Sequence, residues 1–412
     1  MGHLAVSEAQ QCILQAVAPL GMEPVGLAQS LGRVLAEDIR ANRDIPPYDV
    51  SAMDGFAVRS GDLDGTAVVL EIIEDIKAGD MPAKVVQAGQ CARIMTGAPL
   101  PAGADSVIRV EDSQPVTESR VQFSVTAKSG HDVRPRGENM RCGEVVLPAG
   151  TEITPGVTGM LATVKAAQVQ VFRRPRVAIL STGNELEALE APLDPNKIPD
   201  ANSYALLAQM QALGIEPVLL GIARDDPDEL ASYLRRGLEY DVLLVSGGTS
   251  VGVHDYVRPT IEALGVQMRF WRVAMRPGHP MAFGTTATTA VFGLPGNPVS
   301  SMVCVEQFVS PALRRMMGHS RLFRRTVTAR LAHPIKMRPG RTEFVRVVLS
   351  RDAAGYVASS TGTQGSGVLL SMAKADGLLV VPAASTGLAE GEFTTVQLLD
   401  GTTFQGETGI EE

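Results

Sequence analysis

Residues 242–252 read Val-Leu-Leu-Val-Ser-Gly-Gly-Thr-Ser-Val-Gly, an apolar run followed at once by a glycine-rich turn. A continuous apolar run of this length is typical of a strand buried on both faces of a parallel sheet. The same pattern occurs at Val177–Leu180 before Ser181-Thr182-Gly183, and at Ala290–Leu294 before Pro295-Gly296. Turns at the carboxyl ends of parallel strands share one edge of a sheet, where ligands of open α/β folds bind. The sequence therefore predicts an α/β domain with a binding site along that edge.

Helical patterns separate these strands, and a further strand is predicted at Val218–Ile222. The predicted helices cover residues 202–213, 227–238, 256–264 and 298–317. The start of the second helix is well marked, because Asp226 suits the N-cap, Pro227 the first helical position and Glu229 the first turn. Strands that alternate with helices predict a parallel sheet with right-handed crossovers.

The rest of the chain has other patterns. Helices are predicted at 7–18, where Ser7 and Gln10 are spaced as a capping box, and at 27–39. Between residues 46 and 143, short β-branched runs such as Val85-Val86 alternate with Gly and Pro turns, and strand-like runs return after residue 325. We therefore expect four domains: an elongated helical and β N-terminal domain (1–45 and 144–174), a β-rich insert (46–143), the α/β domain (175–322) and a C-terminal β-domain (323–412).

Composition limits the possible classes of protein. The 412 residues are 45% hydrophobic and 20% charged, which is typical of a folded multidomain chain. A net charge of −8 argues against broad nucleic-acid binding, which needs a basic face. The sequence has neither a signal peptide nor a membrane-spanning run, its four cysteines form no CxxC, and its six histidines lack metal-ligand spacing. We expect a cytoplasmic protein that binds neither nucleic acid nor membrane.

The three glycine-bearing turns predict an anion site. Glycine lets backbone N–H groups approach a phosphate closely, and a following helix N-terminus adds a favourable dipole. The simpler interpretation is that these glycines only make tight turns, but three such turns with Ser or Thr on one edge favour an anion site. The turns match neither a P-loop nor a dinucleotide-binding pattern. The candidate contacts are Ser181, Gly183, Ser246, Gly247 and Gly248.

Acidic and basic residues stand beside these turns. Glu185, Asp225 and Asp255 are placed to hold Mg²⁺, although helix capping is an alternative for Asp225 and the better explanation for Asp226. Arg272 and Arg276, with His279, form a basic run whose guanidinium groups suit oxyanions. A solvated surface loop is the alternative for that run.

Five strings taken together are similar to one known family. They are Pro46–Gly55 (PPYDVSAMDG), Thr96–Pro99 (TGAP), Ser181–Leu186 (STGNEL), Ser246–Gly248 (SGG) and Gly293–Pro298 (GLPGNP). Their order and spacing resemble the molybdopterin molybdenumtransferases, which include bacterial MoeA and the animal gephyrin E-domain. The match covers essentially the whole chain. It implies a four-domain subunit that dimerises, in which the α/β domain is a molybdopterin-binding domain.

The resemblance also implies an activity. Adenylylated molybdopterin and molybdate would react in the presence of Mg²⁺ or Zn²⁺, releasing AMP and the molybdenum-loaded cofactor. An upstream molybdopterin adenylyltransferase would supply the substrate. Carried over by position, the implied catalytic residues are Asp54, Thr96, Glu185 and Asp255, with Asp225 and Glu185 as metal ligands. The implied substrate contacts, besides the basic run and the glycine turns, are Pro295, Pro298, Ser300, Arg346 and Ser366. Asp54 and Thr96 would complete the site of the dimer partner.

Departures from the family pattern concern individual residues. Arg272, Arg276 and His279 stand where the family often has lysine, so guanidinium geometry replaces a point charge at two positions and the charge at the third depends on pH. Asn139 replaces an acidic residue of a Gly-Glu-Asp string, which puts an ionised role there in doubt. Two other functions remain open: a non-catalytic scaffold, as in the animal relative, and an enzyme acting on another nucleotide-linked pterin.

Overall fold

A computed structural model describes residues 3–248 and 256–399. The chain forms two compact units. The α/β unit comprises Met1–Val25, Gly32–Ala36 and Gln170–Glu412, and the insert unit comprises Gly26–Leu31 and Glu37–Val169. The finer four-domain division stays a prediction. Of the helices in the described residues, none has the length and apolar character needed to cross a membrane.

The predicted α/β sheet is present, with six strands. In spatial order they are Val218–Ala223, Val177–Thr182, Val242–Ser246, Ala290–Leu294, Ala282–Thr285 and Gln267–Phe270. The first four strands are parallel, which confirms the expected parallel sheet. Strand Ala282–Thr285 pairs antiparallel with both of its neighbours, so it alone runs in the opposite direction within this sheet. Ala282–Thr285 runs opposite to Ala290–Leu294 because only residues 286–289 join these two strands. A connection between parallel strands needs about a dozen residues or more.

Two apolar layers cover the sheet. Ile179 and Leu244 belong to the larger core, whereas their neighbours Leu180 and Leu243 belong to the core on the other face. Successive side chains of a strand point to opposite faces, so both faces being covered requires apolar residues throughout. This explains the continuous apolar runs of the sequence.

The helices predicted at 7–18, 202–213, 227–238, 256–264 and 298–317 are present in the α/β unit, and Leu369–Ala373 is a further helix that was not predicted. They are Val6–Ala16, Ala201–Ala212, Pro227–Gly237, Val257–Ala263, Pro298–Cys304, Ser310–Met316 and Leu369–Ala373, with a π-helical turn at Val305–Val309 between two of them. Asp226 is the N-cap, accepting the N–H groups of Asp228 at 3.1 Å and Glu229 at 2.9 Å. The Ser7–Gln10 capping box is wrong: the helix begins one residue earlier, and the Glu8 carboxylate accepts the Ala5 N–H at 2.8 Å.

A second sheet follows in the C-terminal part. Its strands, in spatial order, are Met275–Arg276, Thr342–Asp352, Gly355–Ser360, Thr326–Leu331, Phe393–Leu398 and Gly377–Val381. The last strand also pairs with Thr342–Asp352, so five strands form a closed ring around a small apolar core. Short two-stranded pairs are Leu186–Glu187 with Ile198–Pro199 and Ile335–Lys336 with Gly387–Leu388. This confirms the expected C-terminal β-structure.

The insert unit is β-rich, as predicted. Its six-stranded sheet runs Ser106–Arg109, Gly55–Val58, Gln90–Ile94, Val68–Ile76, Arg120–Phe123 and Ser113–Thr117. Shorter strands are Ile39–Arg40, Val50–Ser51, Val133–Arg134 and Val145–Leu147, and the helix is Pro155–Thr163. Strands Met22–Gly26 and Gln168–Phe172 contain residues of both units.

Two sequence predictions in this region are wrong. Only Leu27–Gln29 of the predicted helix 27–39 is helical, as a 3₁₀ turn. Gly32 has a φ of +74°, and Leu35 then bridges to Val171 in extended conformation, so long-range pairing prevails over a weak helical pattern. Val85-Val86 forms no strand, because Val86 donates a single hydrogen bond to Ala102 and has no ladder to join.

Candidate active site

Two glycine turns meet at the carboxyl edge of the α/β sheet. Gly247 has a φ of +96°, and a Cβ there would lie 2.6 Å from the carbonyl oxygen of Thr182, so the close approach of the neighbouring strand requires glycine. The N–H of Gly247 donates to Leu294 O at 3.1 Å, and the N–H of Gly183 donates to Ala223 O at 3.1 Å. Since both donors are used within the sheet, these glycines leave the edge open to a ligand without binding it through their own N–H groups.

Gly248 has no room for a side chain, because Val257 lies against it. Its φ is +62°, and a Cβ would lie 2.9 Å from the Cβ of Val257, at the start of the following helix. The remainder of that turn, with Asp255, lies outside the described residues. The role predicted for Asp255 stays a prediction.

Ser181 and Ser246 are buried beneath this edge, with 1% and 2% of their surfaces exposed. The Ser181 hydroxyl donates to Asp200 Oδ1 at 2.9 Å and lies 2.9 Å from the Ser203 hydroxyl. The Ser246 hydroxyl accepts Asn202 Nδ2 at 2.8 Å. Both serines were predicted as ligand contacts, and both use their hydroxyl groups to hold neighbouring elements together.

Asn202 is a residue that the sequence analysis missed. Besides Ser246, its Nδ2 donates to Gly296 O at 2.8 Å, so one amide ties the end of a strand to the loop before helix Pro298–Cys304. Asp200 caps the helix that carries it, accepting the Ser203 N–H at 3.1 Å. The available signal was a polar amide in the first turn of a helix that has an aspartate at its N-cap.

Glu185 and Asp225 lie on adjacent turns, and both are exposed. Asn184 links them, since its N–H donates to Asp225 Oδ2 at 3.4 Å and its Oδ1 accepts the Asp225 N–H at 3.2 Å. Within residues 3–248 and 256–399, no three His, Cys, Asp or Glu side chains form a cluster able to hold a metal. Two carboxylates without His or Cys fit Mg²⁺, which takes oxygen ligands and retains several waters, better than they fit Zn²⁺.

A cavity of about 350 Å³ opens beside Ser300, in the first turn of the helix that follows the Gly296 loop. It is lined by Met275, Arg276, Pro277, Gly278, His279, Ser300, Arg341, Gln364, Gly365 and Ser366. Arg276 and His279 of the basic run predicted from the sequence therefore meet the C-terminal residue Ser366 in one concavity. Its polar groups include three basic side chains, which is the composition that an oxyanion requires.

The two arginines of the cavity differ in whether an acidic side chain balances their charge. Arg276 Nη1 lies 3.2 Å from Glu343 Oε1, whereas Arg341 has no hydrogen bond or ion pair within the described parts of the chain. Burial, together with the charges of Arg341, His3 and Arg272, lowers the pKa of His279 and outweighs its hydrogen bond to the Val273 carbonyl, which raises it. Arg341 was not predicted, because nothing in its local sequence sets it apart from other surface arginines.

Arg346 is buried behind the cavity, with 1% of its surface exposed. Its guanidinium donates to the Gly365 and Phe344 carbonyls and to the Ser371 hydroxyl, each at 3.3 Å. Burial, reinforced by the charge of Arg276, lowers its pKa, which Glu343 opposes. Arg346 holds the loop that lines the cavity and does not itself line it.

Residues 295–300, the loop 295–297 and the first turn of helix Pro298–Cys304, connect the cavity with the glycine-turn edge. Pro298 opens its helix, and Ser300 lines the cavity. The Val299 N–H donates to Ser366 O at 3.2 Å, and Asn297 Nδ2 donates to Ser366 Oγ at 3.1 Å. Pro295 O accepts the Ser301 hydroxyl. Arg272 is half-buried and is not among the residues that line the cavity.

In the insert unit, Asp54 and Thr96 are direct partners. Asp54 Oδ1 accepts the Thr96 N–H at 2.7 Å and the Thr96 hydroxyl at 2.8 Å. These two bonds lower the pKa of Asp54, so the carboxylate is ionised at neutral pH. Asn139 lines a separate polar depression of about 570 Å³ with Arg136 and Arg141.

The comparisons with known proteins agree along the whole chain. Residues 4–164 match the family model "MoeA N-terminal region (domain I and II)", 178–315 match "Probable molybdopterin binding domain" and 328–399 match "MoeA C-terminal region (domain IV)". A crystal structure of a molybdopterin biosynthesis MoeA protein from Pyrococcus horikoshii is similar, with a TM-score of 0.84, 30% identity and coverage of 97% of this chain and 100% of that one. The glycine-turn edge thus lies in the segment that matches the probable molybdopterin binding domain, between the two segments that match MoeA models.

Named relatives of similar length narrow the class of protein to one enzyme family. A molybdopterin molybdenumtransferase from Nostoc sp. is 36% identical over 90% of this chain and 87% of its own length. One from Staphylococcus epidermidis is 31% identical over 98% and 97%. This chain belongs to the molybdopterin molybdenumtransferase family, transferases of molybdenum cofactor biosynthesis.

Proposed function

We propose that this chain inserts molybdate into adenylylated molybdopterin and releases AMP. The observation that carries the proposal is the cavity lined by Arg276, His279 and Arg341, which adjoins residues 295–300, the same segment that Asn202 ties to the glycine-turn edge. These residues thereby adjoin both the cavity, where an oxyanion would bind, and the glycine-turn edge, where a nucleotide-linked pterin would bind.

Molybdate would bind in the cavity. It is a tetrahedral dianion, and the cavity offers guanidinium groups from Arg276 and Arg341 with hydroxyl groups from Ser300 and Ser366. Charge-assisted hydrogen bonds of this kind are about twice as strong as neutral ones. Arg346 would act from behind, as a buried cation that also fixes the Gly365 carbonyl.

The adenylylated pterin would bind along the glycine-turn edge. Gly183, Gly247 and Gly248 leave the edge clear of side chains, and Asn202 keeps the end of strand Val242–Ser246 and the Gly296 loop in register. Such fixed placement turns the meeting of two anions into an effectively unimolecular step.

The residues present fit Mg²⁺, which Glu185 and Asp225 would hold on adjacent turns. When bound, the ion would polarise the phosphoanhydride of the substrate and offset its charge. The protein's own contribution is electrostatic: Arg276 and Arg341 reduce the repulsion between molybdate and the pyrophosphate, which would otherwise keep them apart. Asp255 stays a candidate for proton transfer or metal binding.

We further propose that the chain works as a homodimer and receives its substrate from an upstream molybdopterin adenylyltransferase. The first point is motivated by Asp54 and Thr96, which the family resemblance assigns to the active site although they belong to the insert unit and not to the unit that carries the glycine turns. They would complete the site of the partner subunit.

The test is release of AMP from adenylylated molybdopterin by the purified protein, with and without molybdate. We expect release only when molybdate and Mg²⁺ are both present, and a strong loss in Asp225→Asn. Asp228→Asn is the matched control, since Asp228 is an exposed acid three residues away. Release that ignores molybdate would indicate another pterin nucleotide chemistry, and no release at all would favour a scaffold.

A further inference from the structure

The imidazole of His279 has one fixed tautomer. Its Nδ1 lies 2.8 Å from the carbonyl oxygen of Val273, while the Val273 N–H donates to the carbonyl of His279 at 3.1 Å. A carbonyl oxygen can only accept, so Nδ1 must carry a proton. In the neutral ring Nε2 therefore has a lone pair, and it has no hydrogen-bond partner among the described residues.

This tautomer determines how His279 meets an anion. A neutral ring presents a lone pair at Nε2, which repels an oxyanion, whereas a protonated ring presents an N–H donor and a positive charge. Arg276 and Arg341 line the same cavity and remain charged at any physiological pH. The three basic residues thus differ, because only His279 can change its affinity for an oxyanion by gaining a proton.

The charged groups around His279 come from several segments. Arg272 and Arg276 lie on its own segment, Glu343 pairs with Arg276, and Arg341 comes from the turn before strand Thr342–Asp352. The ring of His3 from the N-terminal segment lies 4.7 Å away, centre to centre. Helix Pro298–Cys304 adds Cys304, whose buried thiol has a raised pKa and stays neutral. Positive charge predominates, so the empty cavity disfavours a protonated His279.

We propose that His279 is a proton-linked ligand of the oxyanion cavity. When a tetrahedral dianion enters, Nε2 takes up one proton from solvent and donates a hydrogen bond to the bound oxygen. The proposal deepens the proposed function and rests on its placement of the oxyanion in this cavity.

The direction of the pH effect follows from linkage. The pKa of His279 lies below its usual value in the empty protein, and a bound dianion raises it by offsetting the neighbouring positive charges. Between these two values, binding takes up a proton. Affinity is therefore highest at low pH and falls as the pH rises through that window. The full difference is one charge-assisted hydrogen bond, roughly ten- to a hundredfold in dissociation constant.

The experiment measures binding of sulfate and molybdate to the full chain by calorimetry between about pH 5.5 and 8.5, which brackets the ordinary histidine pKa of about 6.5. Sulfate stays a dianion across this range, so any pH dependence in its binding belongs to the protein. We expect wild-type affinity to fall by about ten- to a hundredfold toward high pH. The measured heat should vary with the ionisation enthalpy of the buffer, as uptake of about one proton requires.

Two variants separate charge from structure. His279→Lys should bind tightly with little pH dependence, and His279→Gln, whose amide can still donate to Val273, should bind weakly with little pH dependence. His333→Gln, at an exposed histidine outside the cavity, should retain the wild-type profile. Thermal melting checks that each variant is folded.

Two results overturn the proposal in distinguishable ways. Clear sulfate or molybdate binding that is independent of pH in the wild type, or a pH profile that persists in His279→Gln, refutes the proton-linked role alone. Absence of oxyanion binding at every pH refutes the cavity as the molybdate site, and the proposal with it.

Discussion

At the scale of single residues, Arg276 and Arg341 supply the permanent charge of the cavity in different ways. Arg276 is balanced by Glu343, whose side chain is only 14% exposed, while Arg341 has no partner in the described parts of the chain. Removing Arg276 would therefore leave a half-buried carboxylate facing an incoming anion, and removing Arg341 would not. The two arginines should differ in what their loss costs.

We predict that Arg341→Ala weakens molybdate binding by about tenfold and that Arg276→Ala weakens it further, toward about a hundredfold. Arg276→Lys should be mild if the site needs only a point charge, and nearly as damaging as alanine if the planar guanidinium contacts two oxygens at once. Calorimetric titration at two salt concentrations measures these effects. Arg120→Ala, an exposed arginine of the insert unit, controls for loss of net charge. Wild-type affinity in both cavity variants would mean that the basic run is a solvated surface loop.

At the scale of elements, the sequence predicts best where the signal is local. The buried strands and the helix that starts at Pro227 depend on apolar runs and on a cap within a few residues, and both are confirmed. The predicted helix at 27–39 fails because Leu35 pairs with Val171, far along the chain. The antiparallel part of the sheet was missed because strand direction depends on loop length, which alternation of strands and helices does not specify.

The same limit applies to the candidate site. The glycine turns and Arg276 were found, because glycines after buried strands and a basic run in a rigid turn are visible in the sequence. Asn202 bonds to a residue 94 positions away, and Arg341 reaches the cavity from the turn before strand Thr342–Asp352, far along the chain from the basic run, so neither is visible locally. Ser181 and Ser246 were chosen for their place in a turn, but tertiary packing turns their hydroxyls toward Asp200 and Asn202.

At the scale of the whole molecule, a chain with a net charge of −8 has to collect two anionic substrates. A negatively charged protein can still attract anions through a local cluster of cationic groups. A concave basic site produces a strong positive potential in the cavity, whatever the net charge of the protein. In the homodimer proposed above, Asp54 of the insert unit would reach this site from the partner subunit.

We predict that mixing inactive Asp54→Ala and Asp225→Ala subunits restores activity. In a hybrid dimer both mutations fall in one site and the other site is intact, so random assortment should return about a quarter of wild-type turnover. Molybdate-dependent AMP release after denaturation and joint refolding measures this, and each variant refolded alone is the control. Mixtures no more active than either parent would contradict a site shared between subunits.

We place molybdate in the cavity between the basic run and the Ser366 loop. The most direct test is a crystal soaked in tungstate, the heavier analogue of molybdate, with diffraction measured at the tungsten absorption edge. We expect the strongest anomalous peak inside the cavity, within contact of Arg276, Arg341 and Ser300. A peak only at the glycine-turn edge or in the depression beside Asn139, with the cavity empty, would contradict it.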